Sequence, residues 1–477
     1  MWGGNEDSLD LAGQRVLVVG LARSGTAAAR FLVGRGARVV ATDRKTAEEL
    51  DREALNVPAE VVLELGGHVR DSFTGADLVV VSPGVPWETP ELAAARAAGV
   101  PVVAEVELAY RALQGRVVAV TGTKGKSTTT AAIGAMLKEH GYDTRVGGNI
   151  GQAASSLVEG ATPESVFVLE VSSFQLEGIQ RFRPDVAVFL NLSADHLDRH
   201  PSLDAYAAAK ARVFENQQAG DWAVINEDDP HVRRLAREGR ARPITFGGSP
   251  RAEGAFFAGG MAQLALEGRR EVLFKKDTVR VPGEHLAQDL LAAGTAARLV
   301  GASLDSIARA VASFRGAEHT LEEVAVVGGV AYYNDSKATN IAAAQKSLES
   351  FERPVLAIMG GRHKGGDFAS LREAAARHAK RVLAIGEAQL ALEQALGSAV
   401  PVQRCATLEI AVAQAARHAT AGDVVLLAPA CSSFDMFRDY AHRGRAFKDA
   451  VESLKRNGSH RDTETQRKTD MKKGGHE

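Results

Sequence analysis

Residues 119–130 read Ala-Val-Thr-Gly-Thr-Lys-Gly-Lys-Ser-Thr-Thr-Thr, and this stretch decides the fold. The β-prone residues Val117, Val118, Ala119 and Val120 stop at Gly122, and a helix-like run from Thr128 to Glu139 follows Gly125, Lys126 and Ser127. Strand, glycine turn and helix in that order make a phosphate cradle. The glycines let backbone N–H groups approach phosphate oxygens, and the helix N-terminus adds positive potential. On this reading Gly122, Thr123, Lys124, Gly125, Lys126, Ser127 and Thr128 hold a nucleotide. Lys126 reaches its terminal phosphates and the Ser127 hydroxyl ligates Mg²⁺. Val120 stands where the general P-loop has its first glycine. The residues alone therefore leave open a plain glycine turn between strand and helix.

Working outward, β-rich runs alternate with Ala-rich helical patterns on both sides of this loop. Arg15–Gly20, Val39–Asp43, Leu78–Ser82 and Val102–Ala104 precede it, and Val166–Leu169, Val186–Leu190 and Trp222–Asn226 follow. Near Arg315-Gly316-Ala317 the pattern restarts. Val324–Val327 and Val330–Tyr333 read as a hairpin around Gly328-Gly329, before Val355–Met359, Arg381–Ile385 and Asp423–Leu427. Strand–helix alternation implies an α/β chain with parallel sheets. A length of 477 residues implies about three cores. We expect domains at 1–113, 114–315 and 316–455, with a disordered, almost apolar-free tail at 456–477.

Composition excludes several classes. The net charge of −2 argues against bulk nucleic-acid binding. No apolar run reaches the ~18 residues a membrane span needs. The start of the chain has neither the basic nor the apolar segment of a signal peptide. Cys405 and Cys431 make no disulfide framework, suit a reducing cytoplasm and read as buried structural thiols.

In the first domain, Val16-Leu-Val-Val-Gly20 runs into Leu-Ala-Arg-Ser-Gly25, and the next strand ends at Asp43. This is a Rossmann-like start, but Ala22 replaces the fingerprint glycine and would hold a dinucleotide pyrophosphate away. A different nucleotide-like ligand at the strand ends is expected, with Ser82-Pro83-Gly84 lining the same crevice or forming a simple proline turn.

In the second domain Glu170 follows one apolar strand, and Asn191-Leu-Ser-Ala-Asp195-His196-Leu-Asp198 follows another. Ends of parallel strands share one rim, so Glu170, His196 and Ser127 can converge on a metal–phosphate site. Mg²⁺ prefers hard oxygens, which suits Ser127 and Glu170 more than His196. Asp195 and Asp198 can instead cap the next helix, the preferred role for Asp198. Lys210, in Tyr206-Ala-Ala-Ala-Lys210, reads by itself as a surface lysine, and an ammonium cannot bind a cation.

At this point the residues resemble the Mur ligases, ATP-dependent amide-bond ligases that extend the peptidoglycan precursor. Thr121-Gly-Thr-Lys-Gly-Lys-Ser-Thr-Thr129 is similar to their nucleotide loop, where the shortened glycine pattern is normal. Glu170-Val-Ser-Ser-Phe-Gln-Leu-Glu177 and Asn191–His200 resemble two further motifs, and Tyr206…Lys210 resembles the segment bearing their carbamylated lysine. The third domain's Tyr333-Asn-Asp-Ser-Lys-Ala-Thr-Asn340, Gly360-Gly-Arg-His-Lys364 and Pro429-Ala-Cys-Ser-Ser433, followed by Arg443-Gly444, are similar to the branch that adds D-glutamate. The resemblance covers about residues 10–455. It implies a Rossmann-like N-terminal domain, a P-loop ATPase-like centre and a Rossmann-like C-terminal domain.

The resemblance further implies catalytic roles for Lys126, Glu170, His196 and Lys210. Ser127 and Glu170 would hold one Mg²⁺, and His196 with carbamylated Lys210 a second. Asp289 and Asp335 would join the nucleotide site. Asp43, Ser82, Asn149 and Gln175 would take UDP-N-acetylmuramoyl-L-alanine, and Lys337, Thr339, Lys364, Ser433 and Tyr440 would take D-glutamate. It leads us to expect that ATP drives the reaction through an acyl phosphate, in a cytoplasmic monomer with no nucleic-acid or membrane partner. Acyl phosphates hydrolyse, so closure about a hinge near Arg315-Gly316 is expected. A related Mur or folyl-polyglutamate-type ligase adding another amino acid is the alternative. Two departures stand out. Leu286 and Asp289 replace the asparagines of the family's Gly-x-His-Asn-x-x-Asn segment, and Thr320 replaces the arginine after His319.

Overall fold

Short β-branched runs form strands wherever helices cover both faces of a sheet. The protein, seen in a computed structural model, is described over residues 10–473 apart from 51, 197–198, 237–238 and 281–282, with side chains to residue 456. The first sheet contains β1 (Arg15–Val19), β2 (Arg38–Asp43), β3 (Val62–Leu65), β4 (Leu78–Val81) and β5 (Val102–Ala104), all parallel, in the order β3-β2-β1-β4-β5. Val16 and Val18 enter one core and Leu17 and Val19 another, as period-2 alternation in a doubly covered sheet requires. The strand order reverses beside β1, so its end and that of β4 flank a crevice.

The second sheet contains β6 (Arg116–Thr121), β7 (Thr144–Gly148), β8 (Val166–Glu170), β9 (Val186–Phe189), β10 (Trp222–Asn226), β11 (Arg242–Gly247), β12 (Gly254–Ala258), β13 (Met261–Leu266) and β14 (Arg269–Lys275). Its order is β14-β13-β12-β11-β10-β9-β6-β8-β7, parallel through β12 and antiparallel beyond. The phosphate-loop strand β6 lies between β8 and β9, which carry the acidic motifs. The third sheet has β15 (Glu322–Val327) and β16 (Val330–Asn334) as the expected hairpin. β17 (Val355–Gly360), β18 (Ala379–Ile385), β19 (Val402–Arg404) and β20 (Val424–Leu427) complete it, in the order β15-β16-β20-β17-β18-β19.

The chain divides into two compact units, Met1–Val279 with Ala287–Ser313, and Arg280–Leu286 with Phe314–Glu477. The first unit holds the first two sheets. They are joined through the helix Glu105–Ala112, whose Val106 and Ala109 enter the core of the second sheet. Glu107, fully buried, accepts N–H groups of Gln180, Arg181 and Phe182 at 2.9, 2.9 and 2.8 Å and pairs with Arg111 at 2.7 Å. Among the described residues no helix is long and apolar enough to cross a membrane.

The tail departs from expectation. The helix Tyr440–Lys473 runs through residues 456–473, and only the last four residues of the expected disordered tail lie outside the described set. Arg, Lys, Glu and Gln are good helix formers, and a helix already nucleated upstream extends at little cost per residue.

Candidate functional site

The loop after β6 is shaped by what surrounds it. At Gly122 (φ 146°) a Cβ would lie 3.1 Å from that of Leu190, so only glycine fits comfortably there. Gly125 (φ 81°) is the N-cap of the helix Lys126–His140 and brings no capping side chain. The first N–H groups of that helix therefore face outward for an anion. Asn191, just past β9, holds the loop from the side: its Oδ1 accepts Lys124 N–H at 2.9 Å and its Nδ2 donates to the Lys124 carbonyl at 3.0 Å. The Thr123 hydroxyl donates to Ser193 O and accepts from Ser193 N, at 3.2 and 3.0 Å. Lys126 Nζ donates to the Gly122 and Thr123 carbonyls at 2.9 and 2.8 Å.

Glu170 is the last residue of β8 and is 1% exposed. One carboxylate oxygen accepts from the Ser127 hydroxyl at 2.7 Å, and the other from Asn149 Nδ2 at 2.7 Å. Asn149 follows β7, so three adjacent strand ends meet here. Its carbonyl accepts Arg23 Nη2 at 3.0 Å, tying this rim to the glycine loop of the first sheet.

Lys210 lies in the last turn of the helix Leu203–Ala211, and it is no surface lysine. It is 1% exposed, its Nζ donates to the Gly122 carbonyl at 2.9 Å, and Nζ lies 4.7 Å from the centre of the Tyr206 ring. Burial, reinforced by the charge of Lys126, holds its pKa well below the ordinary lysine value, with Asp195 and Glu170 opposing. His196 (φ 53°) has a half-exposed side chain. Its ring packs edge-on to Phe174 at 5.0 Å, and Nε2 lies 3.9 Å from Asp195 Oδ2. Ser202, not an aspartate, caps the following helix by accepting Ala205 N–H at 3.1 Å. Asp198, expected in that role, lies outside the described residues, and the Asp195 Oδ1 accepts from His196 N at 3.0 Å.

Part of the donor set suits a divalent metal. Ser127 and Glu170 form a pair of hard oxygens at the phosphate loop, which suits Mg²⁺, an ion that keeps several waters and takes few protein ligands. Three or more His, Cys, Asp or Glu that could hold a metal do not assemble among the described residues.

In the first sheet, Asp43 spends both oxygens locally, accepting Leu21 N–H at 2.7 Å and Lys45 N–H at 3.0 Å. The Ser82 hydroxyl donates to the Gly20 carbonyl at 2.7 Å. Gln175 forms a capping box with Ser172 through its Oε1, and its buried Nε2 has no hydrogen-bond partner among the described residues. Asp289 is buried directly against the phosphate loop, where a Cβ on Gly125 would lie 2.3 Å from its Oδ1. Its Oδ2 is unpartnered, and burial pushes its pKa up to about 7 against the opposing effect of Lys126.

In the second unit the loops after β16, β20 and β17 meet on one rim. Ala430 N–H donates to Ala338 O at 3.0 Å, and Arg362 and Ser432 exchange main-chain bonds at 3.0 Å. This gathers the segments of Lys337 and Thr339, of Ser433, and of the exposed Lys364. Asp335 turns inward. Its oxygens accept from Leu321 N–H at 3.2 Å and from the Ser347 hydroxyl, and burial pushes its pKa up to about 6. The Tyr440 carbonyl accepts the Ser336 hydroxyl at 2.7 Å, and its ring meets His319 edge-on at 6.2 Å. Arg315 is committed to Glu323 at 2.6 Å.

Sequence reading gave no role to Asn191, Tyr206 or Arg443. For Arg443 a signal existed: Arg443, Phe447 and Val451 recur every four residues, placing the arginine on the buried stripe of its helix.

With this geometry in view, the comparisons define the class. Family models for the Mur ligase MurD-like N-terminal domain, the Mur ligase middle domain and the Mur ligase glutamate ligase domain match residues 14–104, 120–297 and 319–431. The chain belongs to the Mur ligase family, in the branch of the UDP-N-acetylmuramoylalanine–D-glutamate ligases. A ligase of that name from Geotalea daltonii is 45% identical over 94% of this chain and 99% of its own length. Another, from Anaeromyxobacter dehalogenans, is 46% identical over 92% and 97%. The crystal structure of a UDP-N-acetylmuramate-alanine ligase from Thermotoga maritima shares the fold, with a TM-score of 0.57 at 21% identity, over 92% of this chain and 99% of that one.

Proposed function

We propose that this protein joins D-glutamate to UDP-N-acetylmuramoyl-L-alanine at the expense of ATP, in the cytoplasmic assembly of a peptidoglycan precursor. The observation that carries the chemistry is the cluster at the end of β6: Ser127 on Glu170 at 2.7 Å, beneath a glycine loop whose carbonyl takes the buried Lys210. The amino acid added follows from relatives that match nearly the whole chain.

In the first step a carboxylate oxygen of the alanyl group attacks the γ-phosphorus of ATP, and ADP leaves. Both reactants are anions, so their repulsion is the main barrier. The N–H groups at the start of the helix Lys126–His140 and the Lys126 ammonium offset it. Bound Mg²⁺, held by Ser127 and Glu170, would supply further positive charge at the phosphates. Asn149 holds Glu170 at its second oxygen, fixing the carboxylate's orientation. In the second step the D-glutamate amine attacks the acyl carbon, sheds a proton, and inorganic phosphate leaves.

Lys210 acts here as the carbamate formed from its amine and CO₂, with loss of a proton. Burial favours the neutral amine that this reaction needs, and the carbamate would supply an anionic oxygen that, with His196, would hold a second ion. Asp43, Ser82, Asn149 and Gln175 serve the nucleotide-sugar substrate, and Lys337, Thr339, Lys364, Ser433 and Tyr440 serve the amino acid. Asp289 and Asp335 act through the loops they support, because their carboxylates face inward.

ADP release with UDP-N-acetylmuramoyl-L-alanine, measured with each of several amino acids, tests the reading. D-Glutamate giving no more ADP than L-lysine or meso-diaminopimelate would sink it.

A further inference from the structure

The second unit buries a charge that nothing above uses. Arg443 is fully buried near the start of the helix Tyr440–Lys473, with Phe447 and Val451 below it. Its Nε donates to the Ser336 hydroxyl at 3.0 Å, its Nη2 to the Ser336 carbonyl at 2.8 Å, and its Nη1 to the Cys431 carbonyl at 3.2 Å. A Cβ on Gly361 would lie 3.3 Å from the same Nη1. One guanidinium thus touches the loops after β16, β20 and β17. Among the described residues its hydrogen bonds all go to neutral oxygens, and the nearby Asp435 carboxylate acts on it through space without a hydrogen bond.

Removing a cation from water without a paired anion is costly, so a fold that keeps one must offset that cost with fixed dipoles. The three oxygens do so, helped at longer range by Asp435, and the guanidinium stays charged. Burial lowers the pKa only to about 10, so the group is cationic at neutral pH. Ser336 immediately precedes Lys337, and Cys431 lies two residues before Ser433. The charge therefore sits beneath the residues assigned above to the amino acid.

We propose that Arg443 is a positioning residue for the amino-acid substrate, pinning the Ser336–Thr339 segment to the Cys431–Ser433 segment and biasing their rim toward a dicarboxylate. Methionine is neutral and shorter, so it loses the charge and every hydrogen bond to Ser336 and Cys431. Lysine would keep the charge but, with one nitrogen in place of a fork, could not hold Ser336 and Cys431 together. The proposal rests on the reading of this rim as the amino-acid site.

The test uses full-length R443K and R443M beside the wild type, with steady-state kinetics for D-glutamate, its uncharged isostere D-glutamine, and ATP. R443K should raise KM for D-glutamate about 10- to 100-fold, the range of a lost charge-assisted hydrogen bond, and leave KM for ATP unchanged. R443M should in addition lose most of the preference for D-glutamate over D-glutamine, which R443K keeps. Folded variants with wild-type KM for D-glutamate would overturn the proposal. So would equal rises in both KM values, or an unchanged preference in R443M. If R443M does not fold, the KM split in R443K decides alone. A wild type that prefers another amino acid would overturn the functional reading instead. The variant-to-wild-type ratio for that amino acid would still judge Arg443.

Discussion

The Ser127 hydroxyl donates to Glu170 Oε2 at 2.7 Å, joining the first turn of the phosphate-loop helix to the end of the neighbouring strand. Register makes this pairing: β6 and β8 align Val120 with Glu170, so the strand end and the helix start face each other. Replacing Glu170 by Gln keeps the size and removes the charge. We expect E170Q to lower kcat for ADP release by about 10²–10³, the scale of losing one preorganised electrostatic group. S127A should lose less, because the carboxylate remains. Thermal melts of both variants should stay near the wild type, and activity within twofold of it in E170Q would refute the role.

Lys210 offers a chemical test. K210A should lose most of its activity, because a buried amine cannot be replaced by a methyl group without emptying that position. Formate or acetate at tens of millimolar should restore part of it by supplying the missing carboxylate. A carbon-13 carbamate resonance should appear when the wild type is equilibrated with labelled bicarbonate, and be absent from K210A. Full activity in K210A, or neither rescue nor resonance, would remove the carbamate from the mechanism.

How far the sequence was legible follows from the range of the forces involved. Ser127 and Glu170 were readable because ends of neighbouring parallel strands share a rim whatever fills the sheet. Lys210 was not. Tyr206-Ala-Ala-Ala-Lys210 has little apolar periodicity, and its burial comes from a carbonyl 88 residues away in sequence. The strand β14 went unread because Arg269, Arg270 and Glu271 occupy an edge strand whose exposed residues break the alternation. β7 hid behind its two terminal glycines, which are needed where Gln152 and Glu170 carbonyls approach within 2.4 Å of a Cβ position. The inward turn of Asp335 depends on Leu321 and Ser347, which lie outside its strand, and no local pattern records that; the partners of Arg443, Ser336 and Cys431, lie equally beyond the stripe that buries it.

Glu107 sets a prediction about stability. Its carboxylate takes three backbone N–H groups from residues 180–182 and an ion pair from Arg111. Glu107→Ala strands those donors in a buried place, so we expect a loss of about 3–5 kcal/mol, as for breaking a buried pair from one side. Denaturant unfolding of the first unit, followed by tryptophan fluorescence, reads it. E107Q, which keeps an acceptor, should lose less. A shift under about 0.5 kcal/mol in E107A, the scale of an ordinary surface substitution, would show that water replaces the carboxylate.

Asp289 makes stability depend on pH in a defined direction. Its carboxyl lies against Gly125 with Oδ2 unpartnered, and burial raises its pKa from 3.8 to about 7. The folded chain therefore keeps this proton up to about pH 7, whereas the unfolded chain releases it near 3.8. A raised acid stabilises the fold fully below the unfolded value, and that contribution fades as pH climbs through the folded one. Asp289→Asn removes the titration and leaves an amide in the same space. Relative to D289N, the wild type should lose stability between about pH 4 and pH 7 and then run parallel to it, ending a few kcal/mol less stable. Paired melts at pH 5 and pH 8 give the sign. If the gap between the two proteins is the same at both, the carboxyl is solvated and the phosphate loop does not rest on a protonated acid.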